Sequence, residues 1–177
     1  MIEVEVKARV DDPKHIERSM IALGATPIGI ENQTDTYYNA SSRDFAKTDE
    51  ALRIRVQDNK YFLTYKGPKM DTVSKTRKEF EVEINDANNI GDILSSLGFS
   101  PVATIVKKRK RYRIGDFFIA LDSVRNLGDF IEIEIDLKDS RNYGEKVEII
   151  FKFIEKLGID RASTVRESYL EMFLGKR

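Results

Sequence analysis

The chain has no cysteine and no tryptophan, and only one histidine and four prolines in 177 residues. Without cysteine it has neither a disulfide framework nor a thiolate metal site. No apolar run approaches the roughly 18–20 residues that a membrane-spanning helix needs. The N-terminus alternates acidic and apolar residues, which is unlike the basic start and apolar stretch of a signal peptide. We therefore expect a cytoplasmic protein with no membrane partner.

Net charge is also absent, because 30 basic residues balance 30 acidic ones. A general nucleic-acid binder usually has an excess of Lys and Arg, so we expect no nucleic-acid partner. Hydrophobic residues make up 41% of the chain, which argues against disorder. The length suits a single domain spanning residues 1–177. Because the charged fraction is high, at 34%, the arrangement of those charges becomes the informative feature.

Alternation of apolar and charged residues predicts about eight β-strands. They cover residues 2–9, 28–39, 51–57, 60–66, 75–84, 102–114, 117–124 and 127–137, and Gly67-Pro68 is expected to end the fourth. Helical spacing predicts helices over residues 13–23, 86–97, 143–157 and 164–174. Hairpins join most of the strands. The pattern therefore predicts an α+β fold, with an eight-stranded antiparallel sheet closed into a β-barrel and flanked by helices.

Each predicted strand has one apolar face and one charged face. A sheet with one face in solvent would look the same, and for any single strand that is the simpler interpretation. Like charges, however, lie two residues apart and so share a face, where they repel. Acidic pairs occur at positions 3/5 and 132/134, and basic pairs at 53/55 and 107/109. We therefore expect the charged faces to line a barrel lumen, where the acids would bind divalent cations and the bases would bind phosphates.

Short motifs follow one another in order along nearly the whole chain. They are Glu3-x-Glu5-x-Lys7, Asp35-Thr36-Tyr37-Tyr38, Leu52-Arg53-Ile54-Arg55, Tyr65-Lys66-Gly67-Pro68, Arg77-x-Glu79-x-Glu81, Lys107-x-Arg109-x-x-Tyr112, Leu121-Asp122 and the run from Leu127 to Glu134. Together they resemble the CYTH family, also called triphosphate tunnel metalloenzymes. That family includes class IV adenylate cyclases, thiamine triphosphatases and inorganic triphosphatases. Its fold is an eight-stranded antiparallel barrel, in agreement with the strand count.

The resemblance implies a role for each charged position of the motifs. Mg²⁺ or Mn²⁺ would be held by Glu3, Glu5, Asp122, Glu132 and Glu134. The triphosphate would be bound by Lys7, Arg53, Arg55, Lys66, Arg77, Lys107 and Arg109. Lys7 and Tyr37 would be the catalytic residues, as in the thiamine triphosphatase branch. A basic residue near the C-terminal helix would close the tunnel, with Arg161 and Arg166 as candidates.

The leading hypothesis from this resemblance is a class IV adenylate cyclase-like enzyme that converts ATP to cyclic AMP and pyrophosphate. The Lys107-x-Arg109-x-x-Tyr112 stretch and the run from Leu127 to Glu134 look closest to that branch. The alternative is a triphosphatase that hydrolyses thiamine triphosphate or inorganic triphosphate in the same tunnel. A third hypothesis is a non-catalytic binder of nucleotide or polyphosphate, although such a binder would not need carboxylates that repel its ligand. A homodimer is implied by the resemblance alone.

Overall fold

Antiparallel strands that close into a barrel dominate the chain. The structure, a computed structural model, describes residues 2–69, 77–137 and 143–175, with backbone only at residues 2, 3, 136, 137 and 143. The strands of the described part are β1 Ile2–Arg9, β2 Thr26–Ala40, β3 Ala51–Gln57, β4 Lys60–Lys69, β5 Arg77–Ile84, β6 Phe99–Ile114, β7 Phe117–Val124 and β8 Gly128–Leu137. Their order around the barrel is β1-β5-β4-β3-β2-β6-β7-β8. The predicted α+β barrel is thereby confirmed.

Helices cover parts of the outside and one side of the opening. They are α1 Pro13–Ala22, α2 Phe45–Thr48, α3 Ala87–Ser96, α4 Tyr143–Lys156 and α5 Tyr169–Gly175, with a 3₁₀ turn at Arg161–Ser163. Capping fixes where the first of these begins, since the Asp12 side chain accepts a hydrogen bond from the His15 amide and Pro13 follows the cap. Within the described ranges no helix is long and apolar enough to cross a membrane.

The hydrophobic core lies between the barrel and the helices, not inside the barrel. Val4 and Val6 on the outer face of β1 are 0% and 4% exposed and belong to one cluster with Ile150 and Ile154 of α4. Successive side chains of a strand point to opposite faces. Because the apolar face is covered by helices, the charged face of the same strand points into the lumen, and Lys7 lines the cavity there.

The end of β4 differs from the sequence prediction. The strand continues through Gly67 and Pro68 to Lys69, with a register shift between Lys66 and Lys69. Proline lacks a backbone N–H, but it can stay in a strand at such an irregularity. The predicted stop at Gly67-Pro68 is therefore wrong. On the next strand, positions 75 and 76 of the predicted range lie outside the described residues.

The C-terminal helix is shorter than predicted. Thr164 forms a β-bridge with Ala8, and the Val165 amide donates a hydrogen bond to the Lys7 carbonyl at 2.8 Å. These contacts keep the first residues of the predicted helix over 164–174 alongside β1. The helix α5 begins only at Tyr169, which places that residue at the mouth of the barrel. The four-residue helix α2 was not predicted, because its length gives no periodic signal.

Candidate active site

The barrel lumen contains a cavity of about 650 Å³. The predicted site residues that line it are Glu5, Lys7, Tyr37, Arg53, Arg55, Lys66, Arg77, Lys107, Arg109, Glu132 and Glu134. Asp122 is 2% exposed and buried against Arg109. The backbone of Glu3 lies opposite Arg77, but the Glu3 side chain is outside the described part. Apart from Asp122, which lies behind Arg109, the structure thus brings the predicted site residues whose side chains it describes into one chamber.

Two arginines of β3 share one carboxylate of β2. Arg55 donates to both oxygens of Asp35, with Nε–Oδ1 at 2.7 Å and Nη2–Oδ2 at 2.8 Å. Arg53 Nη1 lies 3.3 Å from Asp35 Oδ2, and its Nε donates to Thr64 at 3.4 Å. Burial would raise the pKa of Asp35, but Arg53 and Arg55 hold it well below its usual range. The register of β2 against β3 brings these three residues together. Asp35 lies directly opposite Arg55, and Arg53 lies opposite Tyr37, two residues further along β2.

A second cluster forms around Asp122 on β7. Arg109 Nε and Nη2 donate to its two oxygens at 2.7 and 2.6 Å, and Arg109 also bonds Glu132. Lys107 Nζ lies 3.5 Å from Asp122 Oδ2, and the Tyr169 hydroxyl donates to that oxygen at 2.8 Å. Both carboxylate oxygens of Asp122 are therefore occupied by protein donors. A cation at Asp122 would compete with these donors, so in this structure Asp122 acts as a counter-ion.

Two further cations of the lumen lie on β4 and β5. Lys66 Nζ is 2.6 Å from Glu79 on the neighbouring strand. Arg77 donates to the Gly67 carbonyl at 3.4 Å and is 4.0 Å from Asp49. Basic side chains thus project into the chamber from β1, β3, β4, β5 and β6. A polyanion inside the barrel would meet cations on several walls at once.

Acidic side chains gather on β1 and β8. Glu5 lies directly opposite Glu134, and Glu132 precedes Glu134 on the same face. Like charges at facing positions repel. Burial raises the pKa of Glu134, and Glu5 and Glu132 raise it further while Arg109 opposes them. A divalent cation with a preference for oxygen ligands would relieve this repulsion, so the donor set fits Mg²⁺ or Mn²⁺. Among the side chains that are described, no three acids are already arranged around one metal position.

Lys7 and Tyr37 belong to different walls of the chamber. Lys7 is 1% exposed, and its Nζ lies 3.5 Å from Glu132 Oε1. Tyr37 is 7% exposed and interacts with Arg53, its register partner on β3. Tyr37 therefore lies beside the arginine pair, and Lys7 lies beside the acidic strand. Their predicted joint catalytic role stays a prediction.

Tyr169 of α5 is a site residue that sequence reasoning missed. It is 6% exposed and lines the cavity, and the Lys7 Nζ lies 3.8 Å from its ring centroid. The family resemblance implies a basic residue from the C-terminal helix here instead. Arg161, one candidate, bonds Glu148 on the outside of α4, and neither it nor Arg166 lines the cavity formed by the described residues. The predicted helix begins five residues before α5 does, so Tyr169 falls inside that helix instead of at its start. Helical spacing therefore gave no reason to place Tyr169 in the site.

The arrangement can neutralise a polyanion and hold a cation in one buried space. Charge-assisted hydrogen bonds from guanidinium groups are strong, and Arg can bind two oxygens of one phosphate. Several of its charged side chains, among them Lys7, Arg55 and Lys107, are buried, so their charges act through a lower dielectric than that of bulk water. These features suit the positioning and charge stabilisation that phosphoryl transfer requires.

The sequence profile of the CYTH domain matches residues 1–169 of the chain. The Methanocaldococcus jannaschii protein named "Putative adenylate cyclase MJ0240" is 41% identical over 172 residues, which are 97% of this chain and 98% of that protein. Adenylate cyclase CyaB of Aeromonas hydrophila is 27% identical over 170 residues, covering 94% of this chain and 86% of that protein.

Solved structures show the same fold. The PH1819 protein of Pyrococcus horikoshii OT3 superposes with a TM-score of 0.92 and 42% identity, and 99% of each chain is covered. HpAC1 of Hippeastrum, described as having a dominant triphosphatase activity, superposes with a TM-score of 0.72 over 99% of this chain and 96% of that one. At 17% identity, the likeness to HpAC1 concerns the fold alone.

Proposed function

The chain belongs to the CYTH domain family, and on that premise we propose that it is a metal-dependent enzyme acting on a triphosphate in its barrel lumen. One observation carries the proposal: a single chamber of about 650 Å³ combines phosphate-binding cations with the facing acids Glu5 and Glu134. Neither set alone would suit a metal-bound triphosphate, since the cations would lack a metal partner and the acids would repel the phosphates.

The arginines would add phosphate contacts to the carboxylate contacts that they already make. Arg55 and Arg109 each already make a two-point hydrogen bond to a carboxylate, Asp35 and Asp122 respectively. A phosphate presents a similar pair of acceptor oxygens, so each guanidinium can add phosphate contacts with little reorganisation. Lys66, Lys107 and Arg53 would contribute further positive charge from the same chamber.

The acids would hold the metal. Glu5, Glu132 and Glu134 are the best candidates, because their side chains line the cavity whereas Asp122 does not, and we retain Glu3 and Asp122 as further predicted ligands. When bound, Mg²⁺ or Mn²⁺ would polarise a phosphoryl oxygen and neutralise developing charge.

Among triphosphates we favour ATP, with conversion to cyclic AMP and pyrophosphate. In this reaction the ribose 3′-hydroxyl loses its proton and attacks the α-phosphorus, a new O–P bond forms, and the bond to pyrophosphate breaks. Relatives that span nearly the whole chain bear adenylate cyclase names. The cavity is also lined by Ala51, Val102 and Leu170, which belong to one hydrophobic cluster. A nucleoside would bury apolar surface against these side chains, whereas inorganic triphosphate has none to bury.

Lys7 and Tyr37 are the proposed catalytic residues, and both are buried in the chamber. The Lys7 ammonium would contact a phosphate oxygen from β1. Tyr37, beside Arg53, would help to orient the attacking oxygen. These roles extend the resemblance and rest on the position of the two side chains in the lumen.

The alternative function is a triphosphatase, in which water attacks the terminal phosphorus and orthophosphate leaves. One feature favours it: by resemblance, Lys7 and Tyr37 match the pair of the thiamine triphosphatase branch. Both reactions use the same cations and the same metal, so they differ only in the attacking oxygen and in the bond that breaks.

The test is to incubate the pure protein with Mg²⁺ or Mn²⁺ and, separately, ATP, thiamine triphosphate and inorganic triphosphate, and to resolve the products. We expect cyclic AMP and pyrophosphate from ATP. An Arg109→Met protein is expected to lose turnover, and Glu148→Gln, on the outer surface, serves as the matched control.

Each result decides between the hypotheses. Orthophosphate without cyclic AMP would reject the cyclase and support the triphosphatase. Tight, metal-independent binding of triphosphate without turnover would reject an enzyme and support the binder. If no triphosphate is bound or turned over, the proposed function is wrong.

A further inference from the structure

Tyr169, the first residue of α5, is fixed in place from two sides. Its ring contacts Phe130 edge-to-face, with the ring centroids 5.1 Å apart. Its hydroxyl donates a hydrogen bond to Asp122 Oδ2 at 2.8 Å. With 6% of its surface exposed, the side chain has little freedom to move. The ring is therefore a rigid surface at the edge of the chamber.

Two ammonium groups lie against that surface. The Nζ atoms of Lys7 and Lys107 are 3.8 and 5.0 Å from the Tyr169 ring centroid. Both distances are within the range of cation–π attraction, which is strongest where water is excluded. The two lysines come from β1 and β6, which are separated in the barrel by β7 and β8. One ring thus links two walls of the lumen.

We propose that Tyr169 is a positioning residue that holds the ammonium groups of Lys7 and Lys107 in the lumen for the phosphate oxygens of a triphosphate. The proposal rests on the proposed function and adds to it a residue of α5. A lysine side chain has a flexible four-carbon stem, so ordering it when a ligand binds costs entropy. A ring that orders both lysines beforehand removes that cost from binding.

A ring serves this role differently from a carboxylate. Each ammonium has three N–H donors, and a ring face attracts the positive charge without the lone pairs by which a carboxylate accepts those donors. Glu132 and Asp122 lie 3.5 Å from the two ammonium groups. A carboxylate that lay closer to the ammonium groups would compete with phosphate for their donors. The Tyr169 hydroxyl adds a second contribution, because its hydrogen bond fixes Asp122, the counter-ion of Lys107 and Arg109.

The test measures the dissociation constant of inorganic triphosphate with Mg²⁺ by calorimetry, first on the wild type and then on variants at position 169. Tyr169→Leu keeps an apolar side chain but removes the ring, and we expect the dissociation constant to rise about tenfold or more. Tyr169→Phe keeps the ring, and we expect a change within about threefold. Tyr61→Leu, on the outward face of β4, is the matched control for loss of a tyrosine ring.

A series of fluorinated phenylalanines at position 169 separates positioning from packing. Fluorination withdraws electron density from the ring face with little change in shape, so a residue that only fills space would bind the ligand equally well in every member. We expect affinity to fall stepwise with fluorination. This series also carries the test if the Tyr169→Leu protein does not fold.

Two results would overturn the proposal. One is an unchanged dissociation constant across Tyr169→Leu and the fluorinated series. The other is tighter binding after the ring is removed, which would mean that the ring competes with phosphate for the lysines. Failure of the proposed function is recognised separately, because the wild type itself would then bind no triphosphate.

Discussion

Asp35 illustrates what one buried carboxylate does in a barrel lined by charges. It is 1% exposed and accepts hydrogen bonds from Arg53 and Arg55. A buried cation without a partner is costly, and Asp35 pairs with Arg55 and lies closer to Arg53 than Glu79 and Glu81 do. Asp35 thus supports the proposed triphosphate site without having to touch the ligand.

We predict that Asp35→Asn lowers the free energy of unfolding by about 3–5 kcal/mol, because it removes the closest negative charge from two buried arginines. Urea unfolding monitored by circular dichroism measures the change. Glu148→Gln, which breaks the exposed ion pair with Arg161, is the control and is expected to unfold close to the wild type. Equal midpoints for the two variants would contradict the role assigned to Asp35.

The same residue predicts how stability depends on pH. The pKa of Asp35 is lowered in the folded state by Arg53 and Arg55 against the effect of burial, so at acidic pH the folded state binds fewer protons than the unfolded state. The stabilisation is fully present above the unfolded pKa of about 3.9 and is lost as the pH falls through the folded pKa. As the pH is lowered from 6, the free energy of unfolding should therefore fall less steeply for Asp35→Asn than for the wild type. Identical dependence on pH in the two proteins would argue against this role of Asp35.

Lys107 gives a pH prediction for binding. Burial and the positive charge of Arg109 lower the pKa of Lys107 to about 8, although the negative charge of Asp122 acts to raise it. The Lys107 side chain is therefore positively charged below about pH 8 and loses that charge above it. We expect the affinity for inorganic triphosphate to fall by up to about tenfold per pH unit above that value. Lys107→Arg keeps its charge and reports the titration of the ligand itself, so parallel pH profiles for the two proteins would disprove the prediction.

At the residue level, the sequence predicts which side of a strand a residue occupies better than it predicts its partner. Alternation correctly places Arg53, Arg55, Lys107 and Arg109 in the lumen. It does not give the register, which decides that Asp35 faces Arg55 and that Asp122 faces Arg109. Register depends on turn geometry and on packing between distant strands, and one residue of slip changes every pair.

At the level of elements, strands were easier to predict than the segments that close the barrel. Thr26–Ala40 and Phe99–Ile114 extend their predicted ranges by a few residues at the ends. The segment before α5 follows β1 through the Val165–Lys7 hydrogen bond, a tertiary contact that local spacing cannot reveal. That contact determines where α5 begins and hence that Tyr169 reaches the lumen.

The start of α5 is held by reciprocal capping. The Ser168 amide donates to Glu171 at 2.6 Å, and the Glu171 amide donates to the Ser168 hydroxyl at 3.1 Å. We predict that Ser168→Ala costs about 1 kcal/mol of helix stability and speeds amide hydrogen exchange across residues 169–175. Hydrogen exchange with mass spectrometry measures this. Ser96→Ala, whose hydroxyl bonds a carbonyl within α3, is the control, and unchanged exchange in α5 would rule out the cap.

At the level of the whole molecule, the lumen holds cations and acids that partly neutralise one another. Adding a triphosphate alone brings negative charge toward Glu5 and Glu134, and adding a divalent cation alone brings positive charge toward Lys7 and Arg109. Each ligand therefore relieves the repulsion that the other meets. By thermodynamic linkage, the factor by which metal tightens triphosphate binding equals the factor by which triphosphate tightens metal binding.

We predict that this coupling factor lies between about 5 and 150 in the wild type. Calorimetry of metal binding with and without triphosphate, and of triphosphate binding with and without metal, gives two independent measurements of the coupling factor. Glu134→Gln should reduce the coupling toward one while leaving metal-free triphosphate binding unchanged or tighter, because a repelling carboxylate is removed. Glu83→Gln, the same change on β5 at a side chain that is 57% exposed, should keep the full coupling. Wild-type affinities for metal and triphosphate that are independent of each other would contradict a metal-bound triphosphate as the ligand of this barrel.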